Sequence, residues 1–434
     1  MSVSSSRAPR PDFPTTCVLP RAVPDGFASR SDRLGIPAEF ATPPPAPSTR
    51  AVVLADRFTL FAAAKELTPY DEHGERSRVW HCLRTPRRGV STIGVWHQPR
   101  TKSGTISGTQ TCGSVWGCPV CAAKIAERRC QEVAGGIAAH RAAGGVVLAV
   151  ALTFRHERED DLADILRRFL AGLRAMQSGA PWVRFRDRWR VNGMIRSIEC
   201  TWGMAHGYHP HAHFLFFIDP PRTLDQVTGE LVPVADWLPD ADGFHAAIYQ
   251  RWEAVAERHG FTMDAAHGVV VQSTAAFDAA VVAEYVAKHG QEPGHQRWSA
   301  AHEVTKGHVK RGKPGRLTPW DFLRRFVAAE TPKERSAWAA RWREYLAAFR
   351  GMAQLRWSRK LRERLGLEVE RSDAEVAAER AEDGVLLASL HLDQWRAVWT
   401  AGKLVDVLNA AATGDRVAVW VVVAVALGQA QISP

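Results

Sequence analysis

The chain has 434 residues, of which 46% are hydrophobic and 24% are charged, so it is long enough for two or three domains. This composition excludes wholesale disorder and carries no collagen or coiled-coil signature. The longest apolar run, Val417 to Leu427, is shorter than the roughly 20 residues that a membrane-spanning helix needs. The N-terminus also lacks the apolar core of a secretory signal. We therefore expect a cytoplasmic protein that does not associate with membranes.

The charge of the chain is positive and unevenly distributed. The formal net charge is +10. Between residues 302 and 371 there are 18 basic and 8 acidic residues, an excess as large as that of the whole chain. A basic protein of this size usually binds a polyanion, and nucleic acid is the commonest one.

Composition and hydrophobic periodicity divide the chain into five parts. These are a disordered Pro- and Ser-rich leader (1–50), a zinc-knuckle module with a helix (78–142), a strand-and-helix domain (143–292), a basic helical region (293–371) and a helical tail (372–434). Within the central domain we predict strands at 146–154, 193–202, 211–218 and 269–272, and helices at 160–176, 244–259 and 275–289. Because two consecutive strands are joined by a short turn-forming segment, this order favours an α+β fold with a central antiparallel sheet and flanking helices.

A cysteine cluster precedes the first predicted strand of the central domain. Cys112, Cys118 and Cys121 are spaced Cys-x5-Cys-x2-Cys, with a proline directly after the second cysteine. In a reducing compartment this spacing indicates a structural zinc ion more often than a disulfide, and such an ion takes four ligands. The candidates for the fourth ligand are Cys82, which we favour, and then His81 and Cys130.

The segment His209–Phe217 reads HPHAHFLFF. Alternate residues of a strand share one face, so His211 and His213 point the same way, about 7 Å apart, and can bind one metal ion if their rings converge. Phe214 and Phe216 then point into a core. Stray surface histidines would give the same pattern, but two polar rings on an otherwise apolar strand favour a function.

A carboxylate completes this candidate site. If the hairpin turns near His206, Glu199 lies across from His213 on the same face, about 5 Å away. Two imidazoles and one carboxylate suit Mn²⁺ or Mg²⁺. A solvated acid is the alternative role for Glu199, and we weigh the two equally. We expect His209 to support the ligands rather than to bind the ion.

The predicted helix at 275–289 carries a candidate nucleophile. Tyr285 and Lys288 are three residues apart and share a helix face. A phenol with a pKa near 10 attacks a phosphate only when a metal polarises the phosphate and a cation stabilises the developing charge. A packed tyrosine beside a solvated lysine is the alternative. The candidate DNA contacts of the following Lys- and Gly-rich loop are Lys306, Lys310, Arg311, Lys313 and Arg316.

Together these motifs resemble the HUH endonucleases, and among them the rolling-circle replication initiators of plasmids from high-GC Gram-positive bacteria. The matching segments are 111–129, Glu199, 207–217 and 284–290, within a resemblance that spans roughly residues 80–365. The tyrosine follows the histidines, which is the order of replication initiators and HUH transposases. The resemblance implies an HUH palm for residues 143–292.

The resemblance also implies a nick-and-rejoin reaction at a plasmid double-strand origin presented as a single strand or hairpin. Glu199, His211 and His213 would hold the divalent ion on the scissile phosphate. Tyr285 would then form a 5′-phosphotyrosine and free a 3′-OH that primes synthesis, while Lys288 stabilises charge. Origin DNA, a host helicase and a host polymerase are the implied partners.

The chain departs from the family pattern at one position. Some relatives carry a second tyrosine or a glutamate one helical turn before the nucleophile, where this chain has Val281. The candidates for the termination step are therefore Glu284, Asp278 or a second protomer. Two rival functions are an HUH transposase and a non-catalytic zinc-dependent DNA-binding regulator, and only the regulator should tolerate the loss of the Tyr285 hydroxyl.

Overall fold

The structure is a computed structural model that describes residues 50–273, 315–379 and 383–430. The predicted leader up to residue 49 and the predicted helix at 275–289 lie outside the described residues.

The described residues form helices and strands in an interleaved order. The helices are α1 (Arg50–Leu67), α2 (Arg78–His81), α3 (Pro119–Ala142), α4 (Leu162–Met176), α5 (Gly179–Arg188), α6 (Ala241–Arg258), α7 (Pro319–Ala328), α8 (Pro332–Phe349), α9 (Leu361–Arg364), α10 (Asp373–Ala378), α11 (Leu392–Thr400), α12 (Leu404–Ala412) and α13 (Arg416–Ala430). The strands are β1 (Thr92–Gln98), β2 (Ser103–Ser107), β3 (Val146–Leu152), β4 (Val191–Gly203), β5 (Gly207–Ile218), β6 (Arg222–Leu224), β7 (Leu231–Pro233), β8 (Val269–Ser273), β9 (Leu355–Trp357) and β10 (Val385–His391). None of the helices within the described ranges is both long and apolar enough for a bilayer crossing.

The largest sheet has five strands in the order β8-β3-β5-β4-β9, and every neighbouring pair is antiparallel. The long hairpin of β4 and β5 lies at its centre. This sheet with its packed helices confirms the predicted α+β class and the predicted antiparallel core.

The two faces of the central sheet are covered differently. Phe214 and Phe216 belong to one core with residues of α4 and α6, as their alternation predicts. Leu215 and Phe217 belong to a second core against α3. That second face is closed only at the Phe217 end, because the histidines at 209, 211 and 213 remain partly open while their neighbours in β5 are buried. The open half of one sheet face is therefore where the candidate site lies.

A second sheet joins distant parts of the chain in the order β10-β1-β2. β10 comes from the segment that we predict to be a helical tail, and it pairs antiparallel with β1. Its sequence, VLLASLH, has three leucines and does not alternate, so its pattern does not distinguish a strand from a helix. The helix α11, which follows β10, also contacts the segment before β1. The indole N–H of Trp395 donates to the Arg84 carbonyl at 3.0 Å, and that of Trp399 donates to the Leu83 carbonyl at 2.7 Å.

The predicted basic helical region contains an edge strand of the central sheet. β9 pairs with β4, and three residues are too few for a periodic signal. Most aromatic side chains of α7 and α8 belong to the core: Trp320, Phe322, Phe326, Trp342, Tyr345 and Phe349 are all buried.

Several arginines of this region pair with acids near the start of the described chain. Arg324 bonds Asp56 at 2.8 Å, and Arg335 bonds Glu66 at 2.8 Å. Part of the positive excess is therefore neutralised inside the protein and is not available to a polyanion.

Candidate metal centres

The register of the β4–β5 hairpin decides which side chains meet. Glu199 lies directly across from His211, and the strands remain paired up to Gly203 and Gly207. The expected pairing of Glu199 with His213 is therefore wrong by two residues, because the turn is tighter than we assumed. A shift of two residues leaves every side chain on its predicted face, so Glu199 still lies beside both histidines.

The three side chains converge closely. The Oε2 atom of Glu199 lies 3.5 Å from Nε2 of His211 and 3.6 Å from Nε2 of His213. An ion with bonds of about 2.1 Å can bridge two ligand atoms up to about 4.2 Å apart, so both separations fit one divalent ion. The side chains keep 15% (His211), 14% (His213) and 11% (Glu199) of their surface exposed, which leaves access for a ligand.

The ring of His211 is oriented for metal binding. Its Nδ1 lies 3.1 Å from the carbonyl oxygen of His209. Because a carbonyl only accepts, Nδ1 carries the proton and the lone pair of Nε2 faces Glu199. This backbone anchor on the other ring nitrogen is typical of metal-binding histidines.

His209 lies beside the predicted ligands, and its supporting role stays a prediction. Its ring stacks on His211 at a centroid distance of 5.4 Å, and its Nδ1 lies 2.8 Å from Nε2 of His156. Burial, followed by the charges of His211 and His156, holds the pKa of His209 far below its usual value, so the ring stays neutral. We did not predict His156; it follows β3 by four residues and has no local signal.

One predicted DNA contact lies beside this cluster. Leu317 forms an antiparallel bridge with Trp202, through backbone hydrogen bonds of 2.6 and 2.8 Å, at the turn end of β4. Its neighbour Arg316 is close enough to contribute, after burial, to the lowered pKa of both His156 and His209. The other predicted side chains, Lys306, Lys310, Arg311, Lys313, Glu284, Tyr285 and Lys288, lie outside the described residues.

The described tyrosines are poorly suited to act as the nucleophile. Tyr208 and Tyr345 are buried, and burial raises the pKa of each. The Tyr208 hydroxyl lies 2.9 Å from a carboxylate oxygen of Glu344, and its side chain points away from the histidine face. Tyr249 donates to a carboxylate of its own helix, and Tyr70 is exposed in a loop.

The cysteine module brings four thiols together. Cys82, Cys112, Cys118 and Cys121 all have ligand atoms within 4.8 Å of one another. The sulfur separations are 3.9 Å (82–118), 3.5 Å (82–121) and 3.6 Å (112–121). A zinc–sulfur bond of about 2.3 Å gives a tetrahedron with edges of about 3.8 Å, so these distances fit a zinc ion and are far too long for disulfides.

Of the three candidates for the fourth position, Cys82 is the one at the cluster. The ring of His81 instead bonds the Thr85 hydroxyl at 2.8 Å. Cys130 is buried in the core against the central sheet.

The four thiols differ in how strongly their surroundings stabilise negative charge. Cys118 caps the N-terminus of α3, and its sulfur accepts from the Cys121 N–H at 3.4 Å. Hydrogen bonds from Cys112, Cys118 and Cys82 hold the pKa of the Cys121 thiol far below its usual value, whereas burial raises the pKa of Cys118. A helix N-terminus also stabilises negative charge.

Lys65 provides a buried cation next to the thiols. It is 8% exposed, and its Nζ donates to the carbonyls of Trp80 at 3.0 Å and Cys82 at 2.7 Å. Burial lowers its pKa to about 8, against the opposing effect of Cys82 and Cys118. Nothing in the spacing of α1 predicts this contact, which joins residues 17 positions apart.

Comparisons with known proteins add one substantial match. No family model matches the chain, and no solved structure matches it. The chain is 29% identical to “Protein rep” of Streptomyces lividans over 352 residues, which are 69% of this chain and 75% of that protein. “Neomycin resistance protein” of Streptomyces cyanogenus is 28% identical over 162 residues, which cover 31% of this chain and 37% of that protein.

Proposed function

We propose that the protein is a site-specific DNA nicking-closing endonuclease that initiates rolling-circle replication of a plasmid in the cytoplasm. The similarity to Protein rep supports the replication role. The observation that carries the enzymatic part is the convergence of Glu199, His211 and His213 on the open half of one sheet face. The antiparallel sheet with its paired histidines on the central strand agrees with an HUH palm.

In this proposal Glu199, His211 and His213 hold Mn²⁺ or Mg²⁺. An ion held there would supply positive charge to polarise the scissile phosphate. The four thiols of the cysteine module hold a structural Zn²⁺, which fixes α3 and the loop before it.

Tyr285 is the proposed nucleophile. Its phenolic oxygen loses its proton and bonds to phosphorus, and the bond from phosphorus to the 3′ oxygen breaks. The 3′ oxygen takes up a proton and leaves as a hydroxyl, so no proton is gained or lost overall. Lys288 stabilises the negative charge that develops. The free 3′-OH primes a host polymerase while a host helicase separates the strands, and the phosphotyrosine conserves the bond for closure.

Chain length permits this assignment. In the sequence, Tyr285 lies between two described residues: Ser273, which ends β8, and Leu317, which pairs with Trp202. Twelve residues separate Ser273 from Tyr285, and twelve residues span about 18 Å even when fully helical. The strand spacing puts Ser273 about 16 Å from the histidines, roughly four residues along the strands and two strands across.

The decisive experiment maps the covalent adduct. The protein is incubated with labelled single-stranded origin DNA and Mn²⁺, digested, and the DNA-linked peptide is sequenced. We expect the label on Tyr285, complete loss of the adduct in Tyr285→Phe, and normal labelling in the matched control Tyr249→Phe.

Other outcomes separate the rival functions. A covalent adduct that persists in Tyr285→Phe would exclude this nucleophile. Origin binding without any nicking would favour the non-catalytic regulator, and cleavage at transposon ends instead of an origin would favour a transposase.

A further inference from the structure

Two arginines face each other across the edge of the central sheet. Arg196 of β4 and Arg356 of β9 are direct partners in the antiparallel register, so their Cβ atoms lie about 5 Å apart on one face. That face also carries Phe214, the partner of Arg196 in β5. Like charges directly opposite each other destabilise a sheet, so this pair is expected to have a function that offsets the lost stability.

A third arginine extends the group. Arg174 lies near the end of α4, the helix that packs on the same sheet face as Phe214. Arg196 is half-buried, whereas Arg174 and Arg356 are exposed. Burial first, and then the charges of Arg356 and Arg174, lower the pKa of Arg196 to about 10, so both of these guanidinium groups lie close enough to act on that of Arg196.

No acidic side chain of the described ranges forms an ion pair with Arg174, Arg196 or Arg356. The protein neutralises a comparable group elsewhere. Arg129 and Arg362 both bond one carboxylate oxygen of the buried Glu132, at 3.0 and 2.9 Å. The group at the sheet edge also concentrates positive charge, and the described part of the chain supplies no anion to it, which is the arrangement expected where the anion comes from outside.

We propose that Arg174, Arg196 and Arg356 form a binding site for a phosphate group of the DNA backbone. This inference rests on the proposed function, which supplies the DNA. The site lies on the face opposite to Glu199, because the two positions on β4 differ by three residues, and the two Cα atoms are about 10 Å apart along the strand. β9 is an edge strand, so a long polymer can pass around it from one face to the other.

This geometry implies that the DNA wraps the β9 edge. A strand whose scissile phosphate lies at Glu199 continues past Arg356 to Arg196. The arginines then contribute affinity for any sequence and position the strand without reading its bases.

The test uses the full-length protein and a fluorescent 20-nucleotide oligonucleotide. Arg174→Gln and Arg356→Gln change exposed residues and should leave folding intact, and Arg196→Gln tests the half-buried member. Arg167→Gln is the matched control, because Arg167 lies on the same helix as Arg174 but pairs with Asp164. Binding is measured by anisotropy over a range of salt concentrations, and thermal unfolding is measured in the absence of DNA.

We expect each of the three variants to bind about tenfold more weakly than wild type at low salt, the usual size for removal of a hydrogen bond to a charged group. The slope of log K against log salt should fall by about 0.7 for each phosphate that the variant no longer neutralises. Without DNA, Arg196→Gln and Arg356→Gln should unfold no earlier than wild type, since a repulsion has been removed. A purely structural role for these arginines would give earlier unfolding instead.

The remaining outcomes overturn the inference in distinguishable ways. If wild type binds and nicks DNA but the three variants behave like Arg167→Gln, this site is wrong and the proposed function stands. If inorganic phosphate alone raises the unfolding temperature of wild type but not of Arg196→Gln, while oligonucleotide binding is equal, the site holds a free anion rather than the backbone. If wild type neither binds nor nicks DNA, the proposed function itself fails.

Discussion

The four thiols of the cysteine module are between 0 and 4% exposed, whereas the side chains of Glu199, His211 and His213 keep between 11 and 15% of their surface open. The thiols come from three separate segments and complete a tetrahedron. The other group comes from one hairpin and supplies three ligand atoms. Structural metal sites are closed by four protein ligands, and catalytic sites keep a position open. Burial and ligand number therefore agree with the structural role that we propose for the thiols and with the catalytic role that we propose for the other group.

The two groups also differ in how they are supported. The thiols are held by a helix N-terminus and by a buried lysine, and the C-terminal strand β10 completes the sheet of their module. The histidines are held by strand register and by His156. α3 connects the two regions, since it begins directly after Cys118 and packs against the central sheet further along.

The largest expected effect comes from removing a thiol. Cys118→Ser should reduce zinc from about one per chain to almost none and lower the free energy of unfolding by at least about 5 kcal/mol, since structural zinc contributes directly to folding. Elemental analysis and urea unfolding measure the two quantities. Cys130→Ser changes a cysteine on the same helix but outside the cluster, so this variant should keep its zinc. Equal zinc content in the two variants would contradict a zinc site at Cys118.

Removal of a ligand from the group of Glu199, His211 and His213 should change activity and leave zinc content and stability nearly unchanged. His213→Ala should reduce nicking of a supercoiled origin plasmid at least about a hundredfold, because a metal ion stabilises transition-state charge by several kcal/mol. Its zinc content and unfolding temperature should stay near those of wild type. His206→Ala, in the exposed turn of the same hairpin, is the control, and a similar drop in nicking there would argue against a specific ligand role.

The buried Lys65 should contribute to the free energy of unfolding through its contacts beside the thiols. Lys65→Met should lower the free energy of unfolding by about 2 kcal/mol, because the carbonyls of Trp80 and Cys82 lose their donor. Urea unfolding of Lys65→Met is compared with that of Lys333→Met, which changes an exposed lysine and should have almost no effect. Equal curves would mean that the ammonium does not support the thiol group.

The smallest expected effect concerns the link between the two regions. Burial lowers the pKa of His140, near the end of α3, although its Nε2 bonds the Ile218 carbonyl at 3.1 Å. A lowered pKa means that the stabilising contribution is complete above the unfolded value of about 6.5 and is lost as the pH falls below it. The unfolding temperature should therefore fall more steeply between pH 7.5 and 5 for wild type than for His140→Gln, which does not titrate; parallel profiles would exclude His140 as a source of acid sensitivity.

Sequence patterns were sufficient for features that depend only on the direction of side chains within one strand or helix. The alternation of β5 correctly put His211 and His213 on one face and Phe214 and Phe216 on the other. The structure brings Cys82 together with Cys112, Cys118 and Cys121, and the zinc ion that we predict there stays a prediction.

Contacts between segments that are distant in the sequence could not be predicted from such patterns. The exact partner of Glu199 depends on the length of the turn, which shifted the pairing by two residues. His156 and Lys65 reach their groups only after separate elements have packed. Short strands such as β9 carry too few residues for a periodic signal, so the arginine pair on the sheet edge was not visible in the sequence.

The sequence by itself determined the composition of each group: which residue types were available, which of them share a face, and that the chain is basic. Only the tertiary structure decided the assembly, namely the hairpin register, the fourth thiol, the strand that β10 adds to the cysteine module and the acids that neutralise part of the basic region. The physical reason is that side-chain direction follows from backbone periodicity within one element, whereas the packing of two elements depends on the burial of surfaces that no single segment contains.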